Sequence, residues 1–173
     1  MSIGVIFVVL AVAMVLGPIM LMKPSGRQRQ LANLRQRALE LGLQSRIATV
    51  TGDLKSFTVA PTIAIYQKRW TDKRFCPEQS LLLQRSSFTH EVHFHGAWDW
   101  KEGEAAQFSL SPELAECLDK LPESVLAIEF TPLGVGLYWL EKGAQVDDLV
   151  EVFPVLMNWL DGQGVLENVR DKR

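Results

Sequence analysis

The stretch VLAIEFTPLGVGLYWL, residues 125–140, decides the fold class of this chain. Two short apolar runs, 125–130 and 135–140, flank Thr131-Pro132-Leu133-Gly134, whose residue types are typical of a tight turn. The stretch therefore predicts an antiparallel β-hairpin.

The segment after this hairpin predicts a helix that packs on it. Apolar residues recur at helical spacing over 146–160, and Gly162 ends the pattern. Pro154 must kink the helix or split it in two. We expect three residues of the helix to contact three inward-facing residues of the hairpin: Phe153, Leu156 and Leu160 against Leu126, Ile128 and Phe130.

The elements before the hairpin are shorter. Ser111 followed by Pro112 predicts the start of a second helix, which Pro122 stops. Strands are expected at 46–51, 57–66, 80–85 and 90–95, the last two paired around Ser86-Ser87. Residues 68–74 and 99–107 are interpreted as a basic loop and a polar loop. Together these patterns predict an α+β domain with a mainly antiparallel sheet and two helices.

The N-terminal run Ile3–Met22 is apolar and carries no charged side chain. About 20 helical residues span the hydrocarbon core of a bilayer, so the run predicts a transmembrane anchor. A cleaved signal peptide is the alternative, but it needs a basic start and a small-residue cleavage site, and neither is present. A buried helix of a soluble protein is the other alternative.

Basic residues follow the anchor and predict its orientation. They lie on its C-terminal side as a basic collar, whose members are Lys23, Arg27, Arg29, Arg35 and Arg37. Because Lys and Arg stay on the cytoplasmic side, we expect the N-terminus outside and the remaining chain in the cytosol of a bacterial inner-membrane protein. The collar should be attracted to the anionic membrane surface.

The collar also has the pattern of an amphipathic helix. Leu31, Leu34, Ala38 and Leu41 recur at helical spacing before Gly42. We expect this helix to lie on or near the lipid headgroups, and the alternative is that it docks its leucines on the domain or on a partner helix. The predicted organisation is an anchor at 1–23, a juxtamembrane helix at 24–44, a cytosolic α+β domain at 45–167 and a frayed tail at 168–173.

Charge is distributed unevenly along the chain. Residues 23–74 carry 11 basic and three acidic side chains, whereas residues 75–169 carry four basic and 16 acidic ones. The acidic part should be repelled by the membrane and free to bind a protein partner with a basic surface. The alternative is that the two halves neutralise each other when the chain folds.

The candidate metal site is Glu91-Val92-His93-Phe94-His95. Side chains alternate along a strand, so Glu91, His93 and His95 would share one face, where two imidazoles and a carboxylate can bind a metal. The alternative is a solvated face opposite Val92 and Phe94. We predict no cofactor, and metal binding is only the alternative to an interaction function.

Other candidate residues give weaker signals. Trp70, Trp98 and Trp100 suit either a membrane or protein interface or the core. Trp70 in its basic loop could stack on a nucleic acid base, but the acidic balance of the domain argues against nucleic acid. Cys76 and Cys117 have no partner at a recognisable spacing, so the sequence assigns no catalytic residue and an enzyme is the less favoured class.

The first 40 or so residues resemble the YajC-type accessory subunit of the bacterial preprotein translocase. Leu21-Met22-Lys23-Pro24 followed by Arg27-Gln28-Arg29-Gln30-Leu31 carries the resemblance, whereas the glycine-rich pattern that continues the family is missing from 43–49. The whole chain is similar to an uncharacterised bacterial inner-membrane family. The resemblance implies a non-enzymatic accessory or scaffold subunit of an envelope complex, with a protein partner of unspecified identity.

Overall fold

The computed structural model describes residues 3–5, 7, 10–14, 25–50, 52–71, 77, 80–87, 94–101 and 108–162. The chain divides into two compact units, Met1–Asn33 and Leu34–Arg173. Residues 3–5, 7 and 10–14 are helical. The remaining residues of the predicted anchor, 1, 2, 6, 8, 9 and 15–23, lie outside this description. Among the described residues, no helix is both long enough and apolar enough to cross a membrane.

The second unit is built on one antiparallel sheet. The strands with defined bounds are β1 (Gln44–Thr49), β2 (Thr62–Arg69), β3 (Leu81–Arg85), β4 (Trp98–Trp100), β5 (Val125–Thr131) and β6 (Gly134–Trp139). The α-helices with defined bounds are α1 (Gly26–Glu40), α2 (Pro112–Lys120), α3 (Val146–Val150) and α4 (Val152–Gly162), and a 3₁₀ helix spans Gly52–Ser56. The strand order is β1-β2-β6-β5-β3-β4, and every pairing is antiparallel. The predicted α+β class with an antiparallel sheet is confirmed.

The predicted hairpin is present as β5 and β6 at the centre of the sheet. Ile128 pairs with Leu137 and Thr131 with Gly134, but the register shifts between Val125 and Ala127. This bulge adds one residue to β5 and breaks the alternation of its side chains. Leu126 therefore lies in a second cluster with Ile63 and Leu54, and its predicted contact with the last helix is wrong.

The main core lies on the face of the sheet that the helices cover. Ile128 and Phe130 are fully buried in one cluster with Phe153, Leu156 and Leu160, as predicted. The other face is covered in part by the 3₁₀ helix, whose Leu54 is 4% exposed beside Ile63 and Ala127. The sheet thus has apolar residues on both faces, and the helical face holds the larger share.

The strand boundaries differ from those expected in two places. β2 begins at Thr62 and includes Lys68 and Arg69, which were expected in a loop. The next strand after β3, which pairs with its outer edge, is β4 at 98–100, although residues 99 and 100 were expected in a loop and 90–95 as the strand. Residues 90–93 lie outside the described part of the chain. β4 alternates the buried Trp98 and Trp100 with the more exposed Asp99, so burial of the two indoles favours a strand there.

Both predicted helices of the domain are observed. The Ser111 hydroxyl oxygen accepts a 3.2 Å hydrogen bond from Leu114 N at the start of α2, as expected for an N-cap. The last helix is divided into α3 and α4 at Glu151 rather than at Pro154. Pro154 lies in the first turn of α4, where the backbone N–H that it lacks would have had no intrahelical acceptor.

Candidate functional site

The predicted metal triad is only partly described. Glu91 and His93 lie outside the described residues. His95 forms a bridge to Trp98, and its Nε2 atom is 2.8 Å from Oδ1 of Asp119 on α2. No group of three His, Cys, Asp or Glu side chains that could hold a metal occurs among the described residues. Through its contacts with Trp98 and Asp119, His95 joins β4 to α2 in this structure.

The tryptophans pack mainly in the core. Trp98 and Trp100 are 2% and 5% exposed, and half-buried Trp70 donates a 2.7 Å hydrogen bond from Nε1 to the carbonyl of Thr131. Trp100 stacks on Trp159 with ring centroids 6.0 Å apart. Nε1 of Trp100 is buried and has no hydrogen-bond partner among the described residues, whereas Nε1 of Trp159 donates to the carbonyl of Ser109.

The basic collar is divided between solvent and the domain. Arg27 and Arg29 are exposed, and Lys23 lies outside the described residues. Arg35 pairs with Glu141, and Nη2 of Arg37 is 2.7 Å from Oδ1 of Asp147. The C-terminal half of α1 also packs on the main core through Leu34, Ala38 and the following Leu41. For this half of the helix the alternative, docking on the domain, is observed in place of the expected location on the headgroups.

Long-range ion pairs link the basic and acidic halves of the chain. Besides the pairs of Arg35 and Arg37, Arg46 on β1 donates to Glu129 on β5. Glu129 is 7% exposed and also accepts a 2.8 Å hydrogen bond from the hydroxyl of Tyr138. Burial raises the pKa of Tyr138 to about 12, and the neighbouring Glu129 carboxylate adds to the rise. These pairs neutralise part of the charge asymmetry, as the second interpretation predicted.

A groove with a volume of about 430 Å³ lies between α2 and the junction of α3 and α4. Its floor is apolar, with Leu149 and Leu121 almost fully buried and Val152 and Val155 half-buried. Leu114 of α2 and Leu156 of α4 lie in the same core cluster, so the core fixes both walls. The groove is therefore present before any partner binds.

Acidic side chains form the rim of the groove. They are Glu113 and Glu116 on α2 and Asp148 and Glu151 on the opposite side, with Lys120 the one basic residue among the lining residues. Nζ of Lys120 lies 2.6 Å from Oε1 of Glu116, and the hydrogen bond from Lys120 lowers the pKa of Glu116. Oδ2 of Asp148 accepts a hydrogen bond from Gln145 N in a capping box. Glu113 and Glu151 line the groove, and neither forms an ion pair with any residue in the described part of the chain.

Cys117 lies in the floor of the groove as a free thiol. Burial raises its pKa to about 11, so the thiolate that would act as a nucleophile or metal ligand is scarcely present at neutral pH. The groove consequently offers apolar contact and negative charge rather than a reactive group.

The sequence contained a signal for this groove. Val152 and Val155 are apolar and three residues apart, yet they lie beside the stripe of the last helix that faces the core. Apolar side chains next to a complete core stripe, flanked by Asp148 and Glu151, indicate a second apolar face on the same helix.

Comparison of the chain with protein-family models, with curated proteins and with solved structures gives no match.

Proposed function

We propose that this chain is a single-pass protein of the bacterial inner membrane whose cytosolic domain is a non-enzymatic interaction module of an envelope complex. The apolar run Ile3–Met22 and the basic residues after it support the anchor and its orientation. The resemblance of the first 40 residues to a translocase accessory subunit supports the accessory role.

The groove between α2 and α4 is the observation that carries the interaction role. It combines half-buried Val152 and Val155 with the carboxylates of Glu113 and Glu151, which no described residue pairs with. An apolar centre with a charged border is the usual anatomy of a protein-binding surface. Burial raises the pKa of the Cys117 thiol, which disfavours the thiolate that a covalent reaction at this residue would need.

Site-specific photo-crosslinking in the full chain tests this function. A benzophenone amino acid at Val155 should form an adduct with another protein in intact membranes. The same amino acid at Val59, an exposed residue outside the groove, is the control and should form no such adduct. If the Val155 position gives no protein adduct, or the Val59 position gives the same one, the proposed function is wrong.

Metal binding by Glu91, His93 and His95 is the alternative function, and the metal content of the purified full chain tests it. An interaction module should contain no metal in a fixed ratio to protein.

A further inference from the structure

We infer that the groove between α2 and α4 binds a short amphipathic helix of a partner protein, with Lys or Arg on both sides of a narrow apolar stripe. This inference rests on the proposed function and specifies the chemistry of the partner. Three properties of the groove support it: the shape of its floor, the position of its charges and the length of its walls.

The floor accepts only a narrow apolar stripe. Cys117, Leu121 and Leu149 are at most 8% exposed, so they close the bottom of the groove. Val152 and Val155 are only half-buried and can lose their remaining apolar surface to an occupant. A volume of about 430 Å³ holds a few apolar side chains and not a whole helix. The rest of the occupant must therefore lie across the rim.

Charges on the rim determine which residues can lie there. Glu113 stands on the α2 wall and Glu151 on the opposite wall, so any helix in the groove passes between two carboxylates that no described residue pairs with. Basic residues on both sides of an apolar stripe would pair with them, whereas acidic residues would be repelled. Lys120 removes part of the negative charge only beside Glu116.

The walls limit the length of the occupant. α2 has nine residues, and a helix rises about 1.5 Å per residue, so the wall is about 13 Å long. A helix lying along it presents two to three turns, with apolar anchors at positions i, i+3 or i+4, and i+7. The expected partner segment is thus a helix of modest length rather than a long coiled coil.

Two designed peptides of about 18 residues test the inference with the full chain in phosphatidylcholine nanodiscs. Both carry the same leucine stripe, but lysines flank the stripe in one peptide and glutamates in the other. The readout is the NMR signal of valine methyl groups, because a peptide that only adsorbs to lipid does not contact the methyl groups that line the groove. The lysine peptide should shift the methyl signals of Val152 and Val155 and leave that of Val59 unchanged.

Two matched charge variants test whether the lysine peptide binds the groove or any acidic surface of the protein. Glu113→Gln with Glu151→Gln removes two groove charges and should weaken binding of the lysine peptide roughly threefold to tenfold. Glu123→Gln with Asp161→Asn removes two exposed charges outside the groove and should change the affinity less than twofold. Equal effects of the two variants would overturn the inference.

Other outcomes distinguish the inference from the proposed function. If the glutamate peptide shifts Val152 and Val155 as strongly as the lysine peptide, charge does not select the occupant and the inference fails. If the Val155 photo-crosslink captures a protein through an acidic segment, or captures a second copy of this chain, the inference also fails. Capture of another protein through an acidic segment would leave the proposed interaction function intact.

Discussion

Arg35 of α1 donates two hydrogen bonds to the carboxylate of Glu141, at 2.8 Å from Nε to Oε1 and 2.9 Å from Nη2 to Oε2. The hydroxyl of Tyr66 donates a third, 2.7 Å long, to Oε1 of the same carboxylate. Glu141 follows β6 and has a φ of 55°, in the left-handed region that non-glycine residues rarely adopt. One strained residue therefore joins helix α1 to strand β2 through its side chain.

Two replacements of Glu141 separate the stabilisation by these hydrogen bonds from the destabilisation by the strained backbone. Glu141→Ala should lower the free energy of unfolding by about 2–3 kcal/mol, because Arg35 and Tyr66 lose their acceptor. Glu141→Gly loses the same bonds but relieves the strain, so it should be about 1 kcal/mol less destabilising than the alanine variant. Denaturant unfolding of the full chain in detergent measures both. An alanine variant as stable as the glycine variant would show that the backbone at 141 is unstrained.

Replacement of Phe153 tests how α4 packs on the sheet. Its side chain is fully buried in the main cluster, so Phe153→Ala should cost about 3–5 kcal/mol of unfolding free energy. Val59→Ala, at an exposed position, is the control and should cost less than about 0.5 kcal/mol. A loss below about 1 kcal/mol for Phe153→Ala would mean that α4 does not pack as described.

Local signals made much of this fold predictable. The hairpin is a pair of apolar runs joined by a turn, the N-cap at Ser111 lies next to its helix, and the stripe of the last helix repeats every three to four residues. The position of Leu126 was not predictable, because a bulge changes which face a residue occupies and leaves no mark in the pattern of apolar residues. A one-residue shift moves a side chain to the other face of the sheet.

The candidate site was less predictable than the fold. Arg35 and Glu141 are 106 positions apart, and no local pattern selects this pair from the other opposite charges. Trp98 and Trp100 resemble interfacial residues in sequence because indoles suit both an interface and a core. The groove exists only because α2 packs beside α4, so its acidic rim combines two segments that are about 35 positions apart.

Trp100 and Trp159 form a matched pair that measures how much one buried hydrogen bond contributes to the free energy of unfolding. Trp159→Phe removes the donor to the Ser109 carbonyl, whereas Trp100→Phe removes an indole N–H that has no partner in the described part of the chain. Both changes remove similar apolar surface from the same aromatic cluster. Trp100→Phe should therefore be less destabilising by about 1 kcal/mol in denaturant unfolding. Equal losses would indicate that Nε1 of Trp100 is satisfied in solution.

The ion pair of Asp147 with Arg37 should contribute to the pH dependence of stability. The hydrogen bonds from Arg37 hold its pKa below the usual range. An acid whose pKa is depressed in the folded state stabilises the fold above its unfolded pKa of about 3.9 and loses that effect as pH falls through the folded value. Asp147→Asn should therefore flatten the stability profile below about pH 4. Asp161→Asn, at an exposed residue of α4, is the control, and an unchanged profile in Asp147→Asn would refute the assignment.

The last prediction separates the two roles of the basic collar. An alkaline phosphatase fused to the C-terminus should be inactive if the domain is cytosolic, and activity would overturn the proposed orientation. Arg29→Gln and Arg35→Gln each remove one positive charge within about 15 residues of the predicted anchor, so both should raise the fusion activity by a similar small amount. Membrane insertion depends on the number of charges, whereas stability depends on the partner of each charge. Only Arg35→Gln should lower the unfolding free energy, by about 1–2 kcal/mol, because Arg35 binds Glu141 and Arg29 is exposed. Equal stability of the two variants would show that α1 is not held to the domain by this ion pair.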